Sequence, residues 1–146
     1  MSDPILLVED DNADAMLIER AIRRAGITYP VRRVGDGDAA VDYLSGLSPY
    51  KDREQHPLPV LILLDLKLPR RSGFEVLSWL RAQNTGVQRL PVVVLTSSSH
   101  SQDVNRAYDL GANSYLVKPS GPDALLDMIQ KLDTYWLTMN RSPELA

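Results

Sequence analysis

Leu61-Ile62-Leu63-Leu64-Asp65-Leu66-Lys67-Leu68-Pro69 is the stretch that decides the fold. Four apolar residues run straight into a single carboxylate, Asp65, and a proline follows four positions later. A short unbroken apolar run bounded by turn signals suits a strand buried on both faces, and its length favours strand over buried helix. Pro69 and Ser72-Gly73 mark the exit as a loop. Asp65 is therefore expected at the carboxyl edge of a sheet, where open α/β folds bind their ligands. A strand-end aspartate can equally cap a turn, so its meaning depends on what the other strand ends carry.

Working outward toward the amino terminus, Ile5 to Val8 is a first strand that ends in Glu9-Asp10-Asp11. Ala13, Leu17, Ile18, Ala21, Ile22 and Ala25 follow at helical spacing until Gly26. Val31 to Val34 is a weaker second strand, turned by Gly35-Asp36-Gly37 into a helix with Ala39, Ala40, Val41, Tyr43 and Leu44. Ser45 to Pro59 has three prolines, several charges and no periodicity, which reads as a surface loop. Beyond Asp65, a helix from about Gly73 turns Phe74, Val76, Leu77 and Leu80 inward. Pro91 to Leu95 is a fourth strand ending in Thr96-Ser97-Ser98-Ser99, followed by a helix with Val104, Ala107, Tyr108 and Leu110. Ser114 to Val117 is a fifth strand ending in Lys118-Pro119, and Gly121-Pro122 opens the last helix. Strands alternating with helices make a parallel sheet covered on both faces.

Composition narrows the chemistry. The 146 residues are the size of one ordinary domain, and 44% hydrophobic with 24% charged residues is the balance of a soluble globular protein. There is no cysteine, which excludes disulfides, thiolate metal sites and cysteine nucleophiles. A net charge of -3 argues against direct nucleic-acid binding, since phosphate-backbone contact needs a concentrated basic face. Arg20, Arg23, Arg24, Arg32 and Arg33 read as a solvated helix face and strand end, and His56 and His100 as isolated surface residues. No stretch is long and apolar enough for a signal peptide or membrane span, so a cytoplasmic location with no membrane contact is expected.

The strand ends carry Glu9-Asp10-Asp11, Asp65, Thr96 and Lys118. If they converge, Glu9, Asp10 and Asp65 outweigh the one positive charge of Lys118, and a divalent cation closes the deficit. Oxygen-only ligands select a hard metal, and Mg²⁺ fits best. A carboxylate nucleophile beside Mg²⁺, an ammonium and a hydroxyl is equipped to accept a phosphoryl group, giving an aspartyl phosphate. Singly, these residues have ordinary uses: Asp11 suits the helix dipole, Thr96 a helix cap, and Lys118 a solvated surface. Their joint placement at four strand ends favours the site.

The segments I-L-L-V-E-D-D, L-L-D-L-K-L-P, V-V-V-L-T-S and S-Y-L-V-K-P resemble the receiver domain of two-component response regulators, over about Pro4 to Leu132. The resemblance implies a flavodoxin-like, doubly wound five-stranded parallel sheet of strand order 2-1-3-4-5. It implies that a sensor histidine kinase phosphorylates Asp65, and that Mg²⁺ is held by Asp10 and Asp65, by Glu9 through water, and by the backbone carbonyl of Lys67. Thr96 and Tyr115 become the switch pair: Thr96 moves toward the phosphoryl group, the Tyr115 ring turns into the space, and the face of helix 4, strand 5 and helix 5 changes. The Lys118-Pro119 bond is expected to be cis. Lys67 and Ser98, two residues beyond Asp65 and Thr96, flank the path of hydrolytic water and are expected to set the phosphoryl lifetime, the chain promoting its own phosphorylation and dephosphorylation. Ser120 departs from the aromatic that many receivers carry after Lys-Pro.

The chain is expected to be one receiver domain over 1–146, without an output domain, extended by a helical carboxyl-terminal segment over about 133–146. Leu125, Met128, Ile129, Leu132, Tyr135, Trp136 and Met139 form a broad apolar stripe, with Leu137 beside it. Tyr135, Trp136 and Leu137 are expected at a homodimer interface. Similar extended ends, and a similar long loop before strand three, occur in the single-domain regulators paired with bacterial phytochrome kinases. A pseudo-receiver that takes no phosphoryl group is the main alternative. A phosphohydrolase would need a second carboxylate where Lys67 stands, and a nucleotide-binding domain would need a Gly-rich loop after the first strand.

Overall fold

The computed structural model describes residues 3–145. Strands and helices alternate: β1 (Ile5–Val8), α1 (Asn12–Arg24), β2 (Val31–Val34), α2 (Gly37–Ser45), β3 (Leu61–Leu64), α3 (Gly73–Arg81), β4 (Val92–Thr96), α4 (Ser101–Asp109), β5 (Ser114–Val117) and α5 (Pro122–Leu132). The strands form one parallel sheet in the expected order 2-1-3-4-5.

The unbroken apolar runs are explained by helices on both faces. Leu6, Val8, Ile62, Leu64, Val92 and Val94 face one way and pack on Tyr43, Leu44, Val76, Leu77, Leu80 and Ala107 of α2, α3 and α4. Ile5, Leu7, Leu61, Leu63, Val93 and Leu95 face the other way, onto Ile18, Ile22, Leu125, Ile129 and Leu132 of α1 and α5. No residue of β1 or β3 has a solvent face, so neither strand alternates polar with apolar. Caps start the helices where loops leave the site. Asp11 and Asp36 accept from the backbone N–H of Asp14 and Ala39 at 2.9 and 2.7 Å, and Ser72 and Glu75 form a reciprocal capping box on α3.

Several elements differ from the sequence expectation. β4 begins at Val92, one residue late, and a 3-10 turn at Val87–Arg89 precedes it. Leu17 and Tyr108, placed on apolar helix stripes, are exposed, because the layer beneath each helix is narrower than the stripe. Phe74 is half-buried under the Arg106 guanidinium, 4.1 Å from its ring centroid. The loop before β3 is pinned down: the Tyr43 hydroxyl donates to the Pro57 carbonyl at 2.7 Å, and Arg53 donates to the Tyr43 and Leu44 carbonyls. His56 is accordingly half-buried and edge-on to Tyr50, with ring centroids 5.2 Å apart, whereas His100 is exposed as expected.

The carboxyl-terminal segment is helical only in part. A π-helical stretch, Asp133–Met139, continues α5, and residues 140–145 are irregular. Pro143 cannot sustain a helix. The tail instead folds back, with Arg89 donating to the Glu144 carbonyl at 2.9 Å and Leu145 packing on the core. Gly86 makes room for it, since a Cβ there would lie 1.6 Å from the Leu145 carbonyl oxygen. The expected segment ran to Ala146, which lies outside the described residues. Among the described residues no helix is long and apolar enough to cross a membrane.

Candidate phosphoacceptor and metal site

Strand register builds the site. β1 and β3 pair with Val8 beside Leu64, so the following residues, Glu9 and Asp65, emerge side by side, and the Asp65 N–H donates to the Val8 carbonyl at 3.1 Å. Glu9, Asp10 and Asp65 each offer a carboxylate oxygen within 4.8 Å of the others. Glu9 and Asp65 are buried and Asp10 is exposed. Asp65 is held by its own loop, Oδ1 accepting from the Leu66 N–H at 2.7 Å. That loop lies tight against α3: a Cβ on Gly73 would sit 2.2 Å from the Asp65 carbonyl oxygen. On the other side β5 pairs Val117 with Thr96, and the Lys118 N–H donates to the Thr96 carbonyl at 2.7 Å. The Lys118 ammonium then spends its three protons on Glu9 Oε1 at 2.5 Å, Asp14 Oδ2 at 2.8 Å and Asp65 Oδ2 at 3.1 Å.

The charges do not balance. Burial, the strongest influence, and the neighbouring Asp65 charge push the Glu9 carboxyl from its ordinary 4.5 up to about 7, against the pull of Lys118. Burial also works against the Lys118 ammonium, but hydrogen bonds to Asp14 and Glu9 and the charge of Asp65 outweigh it and hold its pKa above the usual lysine range. One ammonium among four carboxylates leaves a surplus of negative charge at a partly open edge. The donor set is oxygen only, with no His or Cys in it, and suits a hard divalent cation.

The response regulator receiver domain family matches this chain over residues 5–130. The chain belongs to that family. It is 41% identical over 133 residues to response regulator Rcp1 of Synechocystis, covering 91% of this chain and 88% of Rcp1. It is 45% identical over 139 residues to a probable methanogenesis regulatory protein, FilR2, of Methanothrix harundinacea, covering 95% and 86%. Among solved structures, the phosphorylated cyanobacterial phytochrome response regulator RcpA superposes with a TM-score of 0.90 at 35% identity, over 99% of this chain and 100% of RcpA. The Mn²⁺-bound form of Rcp1 superposes with a TM-score of 0.85 at 39% identity, over 97% and 99%. As a receiver, the chain is a phosphoacceptor module of two-component signalling, and its acidic cluster offers the oxygen donors that a hard divalent cation takes.

Within this receiver the expected residues converge: Glu9, Asp10, Asp65 and Lys118 around one point, with Thr96 buried beside Lys118 on the paired strand end. The Lys67 side chain is exposed, and its backbone N–H lies 3.5 Å from Asp65 Oδ1. Ser98 is buried, and its carbonyl accepts from the Tyr115 hydroxyl at 2.8 Å. Tyr135, Trp136 and Leu137 lie beyond α5; Trp136 and Leu137 pack against the core side covered by α1 and α5, whereas Tyr135 is exposed. The expected cis bond at Lys118-Pro119 is trans, and the cis peptide is Ser48-Pro49.

Two further residues belong to the site. Asp14, in the first turn of α1, shares the Lys118 ammonium. Arg33, on β2, donates from Nε to the Glu9 carbonyl at 3.0 Å and from Nη2 to the Asp10 carbonyl at 3.2 Å, which fixes the backbone of the acidic pair. Arg33 lies on β2, the strand next to β1, and because it bonds backbone carbonyls no partner residue in the sequence marks it.

Proposed function

We propose that Asp65 is the residue phosphorylated, and that the chain passes its signal through the α4–β5–α5 face. The observation that carries this reading is the Asp65 carboxylate, with one oxygen fixed by the Leu66 N–H and the other beside Lys118, next to Glu9 and Asp10. Asp65 attacks the phosphorus of a kinase phosphohistidine; the P–O bond forms as the P–N bond breaks, and the imidazole leaves with the electron pair. Lys118 shifts a hydrogen bond from Asp65 to a phosphoryl oxygen while Asp14 keeps another, and the Thr96 hydroxyl donates to a second oxygen. Mg²⁺ is the proposed ion, held by Asp10 and Asp65, by Glu9 through water, and by the Lys67 carbonyl. When bound it supplies positive charge against the phosphoryl oxygens. Lys67 and Ser98 flank the approach of hydrolytic water, and Thr96 and Tyr115 carry the change outward.

The proposed donor is a sensor histidine kinase of the phytochrome type. The likeness to Rcp1 and RcpA over nearly the full length of each supports it. A homodimer through Tyr135, Trp136 and Leu137 is supported by the exposure of Tyr135 and Met139 and by the edge-on Tyr135–Trp136 pair, centroids 5.0 Å apart. The chain is proposed to act in the cytoplasm, without direct nucleic-acid contact.

Acetyl phosphate with Mg²⁺, followed by intact mass, tests the acceptor. Wild type gains one phosphoryl group, and Asp65→Asn or removal of divalent ions prevents it. A wild-type chain that gains none, or an Asp65→Asn chain that gains as much, defeats the proposal. Sedimentation at micromolar concentration tests the dimer, with a monomer mass as the adverse result.

A further inference from the structure

We infer that Asp103 is a positioning residue that holds the Tyr115 ring on the β4–α4 loop, with Ser98 as the joint between them. The significance of this inference rests on the switch role proposed above for Thr96 and Tyr115, but its physical content is a property of the folded chain.

Ser98 is buried and makes three hydrogen bonds that tie β5 to the start of α4. Its carbonyl accepts from the Tyr115 hydroxyl of β5 at 2.8 Å. Its hydroxyl donates to Asp103 Oδ2 in the first turn of α4 at 2.5 Å, and accepts from the His100 N–H at 3.3 Å. A serine hydroxyl has one proton, and here it is committed to a carboxylate, the stronger kind of hydrogen bond.

The start of α4 explains why the latch exists. His100 stands at the cap position and its side chain caps nothing. Asp103 is three residues further on, where the acid of a capping box normally reaches back to the cap N–H. It reaches instead to the Ser98 hydroxyl, which itself takes the His100 N–H. The helix is thus capped through Ser98, and the loop carbonyl that receives Tyr115 cannot move without disturbing the first turn of α4. Among the described residues the Tyr115 hydroxyl bonds no other group. Burial, the strongest influence, and the charges of Asp103 and Asp65 raise its pKa and keep it in the neutral, donating form.

Ser98 lies two residues beyond Thr96, so any shift of the β4 end is delivered through one residue to both β5 and α4. Asp103 makes this a coupled motion. Without its carboxylate, the Ser98 hydroxyl is free to rotate, the loop loosens, and Tyr115 loses a fixed acceptor while α4 keeps its other contacts.

The test is fluorine NMR of the full chain labelled with 3-fluorotyrosine, in the absence of phosphoryl donors. The Tyr115 signal is assigned by its loss in Tyr115→Phe. In Asp103→Ala the ratio of docked to undocked Tyr115 falls on the order of tenfold, as expected for loss of a hydrogen bond to a charged group, and the signals of Tyr29, Tyr43 and Tyr50 stay in place. Asp103→Asn, whose amide oxygen can still accept from Ser98, restores much of the docked signal. Ser98→Ala, which keeps the carbonyl but removes the latch, reproduces Asp103→Ala and serves if that variant folds poorly. A Tyr115 signal unchanged in both Asp103→Ala and Ser98→Ala overturns the inference. Because no phosphoryl group is used, failure of Asp65 to accept one defeats the proposed function without touching this result.

Discussion

Two half-buried cations of this receiver, Arg81 and Lys118, lie toward opposite ends of the sheet and keep different company. Arg81 donates to the carbonyls of Gly111, Gln88 and Leu90 and to the side-chain carbonyl of Asn113, all neutral groups. Burial lowers its pKa and no carboxylate pulls it back. Lys118 meets Glu9, Asp14 and Asp65, all acidic, and together they carry more charge than it can neutralise. A cation saturated by neutral acceptors is a fastening, because it has nothing to gain from a newcomer. An ammonium outnumbered by carboxylates leaves room for another cation, and once that cation arrives it is free to turn toward a new anion.

This contrast can be broken by substitution. Arg81→Ala leaves several buried carbonyls without a donor and is expected to cost about 3 kcal/mol or more in chemical denaturation, while the phosphorylation rate of the folded fraction stays near wild type. A large fall in that rate would mean that the two ends are not separable. Lys118→Ala should do the reverse. Its phosphorylation by acetyl phosphate should slow by about 100-fold, as for loss of one donor to a developing anion. Stability lost by the uncompensated acids should return on adding a divalent cation; a loss that the cation does not restore would place Lys118 with Arg81.

A smaller effect is read through pH. The Glu9 carboxyl holds its proton to about pH 7 in the folded, metal-free chain but releases it near 4.5 when unfolded. The folded state therefore binds more protons over this range, and Glu9 contributes a loss of stability as pH rises from about 4.5 to 7. The difference in stability between wild type and Glu9→Gln should follow that trend without divalent ions and shrink when they are present. A flat difference would deny that the Glu9 charge is held at a cost. The smallest effect is expected of Asp14→Asn. Its side chain is 38% exposed, so the ion pair is partly screened, and divalent affinity by calorimetry should weaken only a fewfold, about 0.5–1 kcal/mol. A hundredfold change would make Asp14 a ligand.

The fold was legible because β1 and β3 are buried on both faces, and four-residue apolar runs ending in acids have few other uses. Glu9, Asp10, Asp65, Thr96 and Lys118 were legible for a related reason: each sits at a strand end, and parallel register carries all such ends to one edge. Asp14 was not. An acid in the first turn of a helix is explained by the helix dipole, and its partner Lys118 lies 104 residues away. Arg33 looked like solvated charge because its acceptors are backbone carbonyls, which leave no trace in sequence. Leu17, Phe74 and Tyr108 show the limit of helical stripes, since spacing gives the face of a helix but not the width of the layer beneath it. In the carboxyl-terminal segment, Leu145 finds the core only because Gly86 lacks a side chain, a match between residues far apart in the chain.

The acidic edge offers three neighbouring carboxylates, Glu9, Asp10 and Asp65, of which Glu9 and Asp65 each have one oxygen on a backbone N–H and the other on Lys118, but Glu9 is the more deeply buried and burial pushes its carboxyl up to about 7. Borohydride reduction of the phosphorylated chain converts an aspartyl phosphate to homoserine, and peptide mass spectrometry then locates it. Homoserine at position 65 alone is the expected result. Reduction at position 9 or 10, or at no position in a chain that carries the phosphoryl group, would contradict the assignment.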